Sequence, residues 1–189
     1  MRKNFKSRGF TLVELIVVIT LIGILAPGMT LIFSSILDNY RTMNAMARVT
    51  KSSEFILSRF TDDINESSKI KQADAKEIEI EINTTPVQTY YYKIDDSSAS
   101  IKLCVSSCDD NENFHTIIDR VQPTSQFKYL DTSLDELENS PAKPWLSSNS
   151  SHYDKLNSII YVELKLDLQY LDDTVSYSTV IYPEKKIDL

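Results

Sequence analysis

The sequence predicts an α+β fold in which one long N-terminal helix precedes an antiparallel β domain. From Phe10 to Phe33 the chain is almost wholly apolar, and from Phe33 to Ile64 apolar residues recur at steps of three and four. This spacing is typical of a helix with one buried face. After Glu77 the period changes to two, which is typical of half-buried strands.

Residues 1–9 form a basic leader that we expect to be removed and to belong to no fold. The leader contains four positively charged residues and ends in Gly9. Lysine and arginine stay on the cytoplasmic side of a membrane, so we expect the chain beyond Phe33 on the opposite side. An ordinary secretory signal peptide would have a shorter apolar core, of about 7–15 residues.

Residues 10–33 are long enough to cross the roughly 30 Å hydrocarbon core of a bilayer as a helix. Glu14 is the exception within this apolar run, because a carboxylate at the bilayer centre costs about 2.5–3.5 kcal/mol. No Lys, Arg or His lies between Phe10 and Tyr40, so we expect a partner from outside the segment. A plain signal anchor leaves Glu14 without a purpose.

A kink is predicted within the membrane helix, at Gly23, Pro27 and Gly28. Pro27 has no amide hydrogen, and its ring clashes with the carbonyl of Gly23. In lipid that carbonyl needs a substitute donor, for which Thr20 or a neighbouring helix is a candidate.

Residues 34–70 are predicted to form the amphipathic half of the same helix, which we expect to run from about Thr11 to Ser67. No Pro or Gly occurs between Met29 and Thr85. The apolar stripe contains Phe33, Ile36, Tyr40, Met43, Met46, Val49, Ile56, Phe60 and Ile64, with Ser53 filling one slot. A coiled-coil seam is the poorer interpretation, because sustained heptads are missing.

Residues 71–189 are predicted to form one globular antiparallel β domain. Strands are expected at residues 77–82, 87–94 and 101–105, with short extended pieces at 117–121 and 127–130. A long hairpin over residues 160–181 is expected to close the sheet on the helix. Residues 131–155 read as a surface loop insertion with one helical turn at Ser133 to Glu138, in which Trp145 either caps the sheet or docks a partner.

The overall charge argues against nucleic-acid binding. The formal net charge is −7, and because the leader carries four positive charges, the remainder carries −11. A protein that binds nucleic acid needs a basic face to neutralise phosphates.

The residue inventory predicts no enzyme, no cofactor and no metal. The alternating Glu77, Glu79 and Glu81 fit the solvated face of a strand. The two histidines, His115 and His152, are far apart, and all three glycines precede residue 29, so no Gly-rich phosphate loop exists. Residues 109–120 begin like a calcium loop but have Phe114 and Arg120 where glycine and glutamate are needed.

Cys104 and Cys108 are the only cysteines. A disulfide between them would stabilise the loop by about 2 kcal/mol, and free thiols are the alternative. A zinc site would need two further ligands. The three intervening residues exclude a Cys-x-x-Cys redox motif.

The run Gly9-Phe10-Thr11-Leu12-Val13-Glu14, preceded by basic residues, resembles the class III signal of type IV pilins and type II secretion pseudopilins. The resemblance implies that a prepilin peptidase cuts between Gly9 and Phe10 and methylates Phe10. It also implies that Glu14 meets the N-terminal amine of a neighbouring subunit. The implied location is the bacterial inner membrane, as a single-pass protein with an extracytoplasmic domain, and then a filament.

A second resemblance concerns the helix end Phe55–Ile64, the segments 101–103, 116–121 and 127–130, and the closing hairpin. These are similar to J-type minor pseudopilins and W-type minor pilins. The family implies a subunit that joins other minor and major pilin-like subunits at the filament tip, on an inner-membrane assembly platform, and primes assembly. The alternative from another class is a membrane-anchored ectodomain that binds a ligand or senses the envelope.

Overall fold

The computed structural model describes residues 11–106, 108, 113–137, 145–146 and 148–183. The chain divides into two compact units, an N-terminal unit (Met1–Asn44) and a C-terminal unit (Ala45–Leu189). In chain order the elements are α1 (Leu12–Glu66), β1 (Ser67–Ala73), β2 (Glu77–Ile82), β3 (Gln88–Asp95), β4 (Ser100–Val105), β5 (His115–Asp119), β6 (Gln126–Leu130), β7 (Trp145–Leu146), α2 (Ser150–Asn157), β8 (Tyr161–Tyr170) and β9 (Asp173–Ile181). The predicted α+β class, with a long N-terminal helix packed on antiparallel strands, is confirmed.

Helix α1 begins and ends within one residue of the predicted bounds. Its buried residues are the upper members of the predicted stripe: Val49, Ser53, Ile56, Phe60 and Ile64. The helix ends where Ser67 Oγ donates a hydrogen bond to the Ile64 carbonyl at 2.7 Å, which satisfies one of the last carbonyls.

Phe60 connects α1 to strands of both sheets. Its ring lies 5.2 Å from that of Tyr92 in β3 and 5.4 Å from that of Phe127 in β6. All three side chains are buried. Burial of one such aromatic side chain is worth about 1.5–3 kcal/mol, so Phe60 is a central contact of the C-terminal unit.

The strands form two antiparallel sheets instead of the single sheet expected. One has the order β5-β4-β3-β2-β1-β7, and the other has the order β6-β8-β9. The chain leaves β5 at Arg120 with a positive φ of 63°, and Val121 makes only an isolated bridge to Leu168. Strand β6 then pairs with β8 along its whole length, which opens the second sheet.

Strand β1 was not predicted, and its pairing explains why. Two register shifts interrupt its ladder with β2, between Ser67 and Lys69 and between Ile70 and Gln72. As a result its buried positions recur every third residue rather than every second. A bulged strand of this kind has no period-two signal in the sequence.

The predicted strand pattern is confirmed in β2. Ile78, Ile80 and Ile82 are buried, and the glutamates between them lie on the other face. Lys71 lies 3.4 Å from Glu79, and Lys93 lies 2.9 Å from Glu77. These cross-strand ion pairs explain the glutamate row without catalytic chemistry.

Residues 131–155 differ from the predicted loop insertion, and residues 138–144 and 147 lie outside the described residues. The helical turn predicted at Ser133 to Glu138 is wrong over its described part, because Asp131 Oδ1 accepts hydrogen bonds from the amides of Ser133 and Asp135 and forms a local turn. Glu136 instead bridges Leu130. A helix forms later, at α2.

Trp145 belongs to the sheet. It is buried in β7, which pairs with β1 at the sheet edge. Its ring lies 6.2 Å from that of Tyr129, and Lys155 Nζ lies 5.4 Å from the ring centroid. These contacts favour the capping interpretation over a docking role.

Candidate functional site

The start of α1 carries a reciprocal pair of hydrogen bonds between Thr11 and Glu14. The Thr11 amide and hydroxyl both donate to Glu14 Oε2 at 3.0 Å, and the Glu14 amide donates to Thr11 Oγ1 at 3.3 Å. A threonine followed three residues later by a glutamate is a capping box, which satisfies two of the free donors at a helix N-terminus. Glu14 therefore has a local hydrogen-bond partner, Thr11, in addition to the partner expected from outside the segment.

The apolar run of α1 is exposed along its length. Ile24 is 78% exposed and Leu12 is 74% exposed. Among the described residues, α1 is the one helix long and apolar enough to cross a membrane, and the qualifying stretch is near its N-terminus. Apolar side chains at such exposure need lipid or protein around them.

The helix continues through Pro27. The Thr20 hydroxyl donates to the carbonyls of Ile16 and Val17, at 2.8 and 2.9 Å. It does not reach the Gly23 carbonyl, so the predicted substitute donor is wrong for Thr20. The kink at Gly23, Pro27 and Gly28 stays a prediction.

The predicted processing site lies outside the described residues. Gly9 and Phe10 immediately precede Thr11, the first residue that the structure describes.

A second polar cluster fixes α1 to β3 in the C-terminal unit. The Tyr92 hydroxyl donates a hydrogen bond to Asp63 Oδ2, and Arg59 Nε lies 3.7 Å from the same carboxylate. Burial raises the pKa of Asp63, and the Tyr92 hydrogen bond opposes that rise. Burial and the Asp63 charge raise the pKa of Tyr92, so the phenol keeps its proton. The cluster is a structural contact between helix and sheet.

The described residues contain no group of three or more His, Cys, Asp or Glu side chains that could hold a metal ion. His115 lies in β5, whereas His152 lies in α2 and its Nδ1 accepts a hydrogen bond from the Leu146 amide at 3.3 Å. Residues 109–112 of the candidate calcium loop lie outside the described residues, and Phe114 packs on Tyr91 with ring centroids 5.4 Å apart.

Cys104 and Cys108 form a disulfide, with their Cα atoms 5.7 Å apart. Cys104 is buried at the end of β4, and the bond closes the first turn of the β4–β5 connection.

Taken together, an apolar α1 with one carboxylate in its first turn, followed by a β unit, is typical of a membrane-anchored protein. The family model for the prokaryotic N-terminal methylation motif matches residues 4–26. This match supports the pilin/pseudopilin superfamily and a structural subunit rather than an enzyme. It also supports an inner-membrane anchor, processing by prepilin peptidase and assembly with other pilin subunits. No curated protein has a significant match to the chain.

Proposed function

We propose that the chain is a minor pilin or pseudopilin that assembles at or near the tip of a type IV pilus or type II secretion pseudopilus and primes its assembly. The methylation motif at residues 4–26 carries this proposal, because it includes the first part of the exposed apolar run of α1, which begins at Leu12. Residues 1–9 are the cleaved leader, residues 10–33 the membrane half of the helix and residues 34–66 its amphipathic half. The β domain begins with β1 at Ser67, three residues before the predicted end of the amphipathic half, and includes segment 131–155.

Glu14 is the assembly residue in this proposal, and its carboxylate pairs with the N-methylated amine of Phe10 on a neighbouring subunit. The capping hydrogen bonds from Thr11 both end on Oε2. Oε1 accepts no hydrogen bond from any described residue, which leaves it open to a donor from a neighbouring subunit. A buried charge needs such a partner.

The minor-subunit assignment is based on the similarity to J-type minor pseudopilins and W-type minor pilins. The helix end Phe55–Ile64 continues into a domain that closes with the β8–β9 hairpin. The partners are the prepilin peptidase, other minor and major pilin-like subunits and the inner-membrane assembly platform. The C-terminal domain is periplasmic or extracytoplasmic, and binds no nucleic acid directly.

The first test is the N-terminus of the mature protein in its own cells. We expect intact-mass analysis and terminal sequencing to find N-methylated Phe10, and Gly9→Ala to prevent assembly. A mature chain that keeps Met1, in cells that tolerate Gly9→Ala, would instead identify an ordinary membrane-anchored ectodomain that binds a ligand or senses the envelope.

The second test separates the two possible uses of Glu14. Glu14→Gln retains a carbonyl that can accept the Thr11 hydrogen bond, but it removes the charge. We expect incorporation into sheared filaments to fall about tenfold or more, because a buried cation loses its counter-ion. Thr11→Val, which removes the capping hydroxyl and keeps the charge, should assemble. Glu54→Gln, at an exposed position of the same helix, is the matched control.

Normal incorporation of Glu14→Gln would contradict the proposed pairing and leave helix capping as the role of this residue.

A further inference from the structure

A groove of about 360 Å³ lies in the C-terminal unit between the middle of α1 and the end of β5. Three cations and one carboxylate surround it: Arg48, Lys51, Arg120 and Asp119. All four side chains belong to exposed residues. The groove therefore has a formal charge of +2 on a chain whose net charge is −7.

These three cations differ from most others in the protein. Most lysines and arginines of the described residues have a carboxylate oxygen within 4.0 Å, as Lys102 has in Asp95 and Lys128 in Glu136. The described exceptions are Arg48, Lys51, Lys69, Arg120 and Lys155, and Lys155 lies on the Trp145 ring. Three of these exceptions surround one groove, so the groove gathers cations that no described carboxylate neutralises within 4.0 Å.

Arg120 is held at the groove by the backbone. Its φ is 63°, in the left-handed region that non-glycine residues rarely adopt. The Gln169 amide donates to its carbonyl at 2.8 Å, and the adjacent Val121 amide donates to the Ala99 carbonyl at 2.9 Å. These bonds fix an arginine where glycine would be easier to accommodate.

The groove also has an apolar part. Val49 and Leu168, both buried, are among its lining residues. Apolar lining adds no favourable contact for a small inorganic anion. A peptide segment, in contrast, presents carboxylates and apolar side chains together. Size, charge and lining therefore suit a protein segment.

We propose that this groove binds an acidic segment, one that bears at least two carboxylates, of a different pilin-like subunit. The inference rests on the proposed function, because it takes the partner from the same filament. Charge complementarity of this kind sets the orientation and the choice of partner more than it sets affinity.

The test is site-specific photo-crosslinking of the full-length chain in its own cells, with p-benzoylphenylalanine at Ser52. This residue lines the groove and is partly exposed. We expect a crosslinked peptide from another pilin-like subunit with two or more Asp or Glu residues. Replacing those residues with lysine should remove the crosslink, and the double variant Arg48→Glu/Lys51→Glu should restore it.

Three variants of this chain sharpen the test. Arg48→Glu/Lys51→Glu should reduce the crosslink about fivefold or more, because the rim charge is reversed. Arg120→Gly should reduce it while easing the backbone, so backbone strain at this position would not explain a loss of the crosslink. Lys69→Glu reverses another cation without a described carboxylate partner, away from the groove, and should leave the crosslink unchanged.

A crosslink to lipid alone, to a second copy of this chain, or to a peptide without acidic residues would overturn the proposal, as would insensitivity to Arg48→Glu/Lys51→Glu. The mature N-terminus and filament incorporation are measured in the same cells. A processed, incorporated subunit without the acidic crosslink would reject the groove alone, whereas an unprocessed chain would reject the proposed function.

Discussion

The apolar stripe of α1 has the same spacing on both sides of Met46, but its two parts have opposite surroundings. In the lower part, Phe33 is 66% exposed and Met43 is 72% exposed. In the upper part, Ile56, Phe60 and Ile64 are fully buried by the chain's own strands. Helical periodicity thus identifies an apolar face that must pack against something. It does not indicate whether the packing partner is part of the same chain, another subunit or lipid.

The largest effect is expected from truncating the upper stripe. Phe60→Ala should lower the free energy of unfolding of the C-terminal unit by about 3–5 kcal/mol, because it empties the contact with Tyr92 and Phe127. Phe33→Ala in the lower stripe should change it by less than about 0.5 kcal/mol. Denaturant titration of the full chain in detergent measures both. Equal losses would show that the exposed part of the stripe also stabilises the C-terminal unit.

A smaller effect is expected where the helix meets the sheet through a polar contact. Tyr92→Phe should cost about 1–3 kcal/mol at pH 7, because Asp63 loses its donor. The pKa of Asp63 is already raised, and the Tyr92 hydroxyl favours its ionised form. The loss should therefore shrink as the pH falls and Asp63 becomes protonated.

Unfolding at pH 7 and pH 4 tests this, with Tyr40→Phe as the control for an exposed hydroxyl. A loss that grows at pH 4 would contradict the assignment.

A third effect is expected at the β3–β4 turn. Hydrogen bonds from Lys102, Ser97 and Ser98 lower the pKa of Asp95, and the Lys102 contact is 2.5 Å long. Asp95→Asn should cost about 1 kcal/mol at pH 7. A carboxylate with a lowered pKa stabilises the fold above its unfolded pKa and loses that contribution as the pH falls through the lowered pKa.

The difference between wild type and Asp95→Asn should therefore disappear in strong acid when followed by acid titration of unfolding. Asp172→Asn is the control, and a pH-independent difference would rule out the charge contribution.

The smallest effect is a gain. Leu171 is exposed in the two-residue β8–β9 turn and has a φ of 51°. Leu171→Gly should stabilise the hairpin by about 0.5–1 kcal/mol, because a left-handed non-glycine residue costs about 1–2 kcal/mol and glycine in the unfolded chain offsets part of the gain. Asp172→Gly, at a turn position without a positive φ, should destabilise. The melting temperature of Leu171→Gly should be above that of the wild type, and that of Asp172→Gly below it. The opposite order would contradict the assignment of strain to Leu171.

Much of this fold could be predicted because its signals are local. A window of about ten residues is enough to recognise the period of the α1 stripe, of the β2 alternation and of the β8–β9 hairpin. Strand β1 could not be found, since register shifts against β2 erase the alternation. The second sheet depends on the turn at Arg120, which no short-range pattern encodes.

The candidate site was predictable in part. The spacing of Thr11 and Glu14 is a capping-box signal that is readable from the sequence, whereas the absence of a nearby cation points to a partner outside the segment. Arg48 and Lys51 could be placed on one helical face. The proximity of Arg48 and Lys51 to Arg120 could not be predicted, because it depends on pairing between strands that are distant in sequence.

The Thr11–Glu14 hydrogen bonds have a consequence for the time before any filament exists. A solitary subunit stored in the bilayer would otherwise hold a carboxylate with no donor at all. With two donors from Thr11 on one oxygen, that charge is less costly to hold, and the other oxygen accepts no hydrogen bond from a described residue. Under the proposed pairing of Glu14 with a neighbouring subunit, docking would add a hydrogen bond to the free oxygen without breaking those from Thr11.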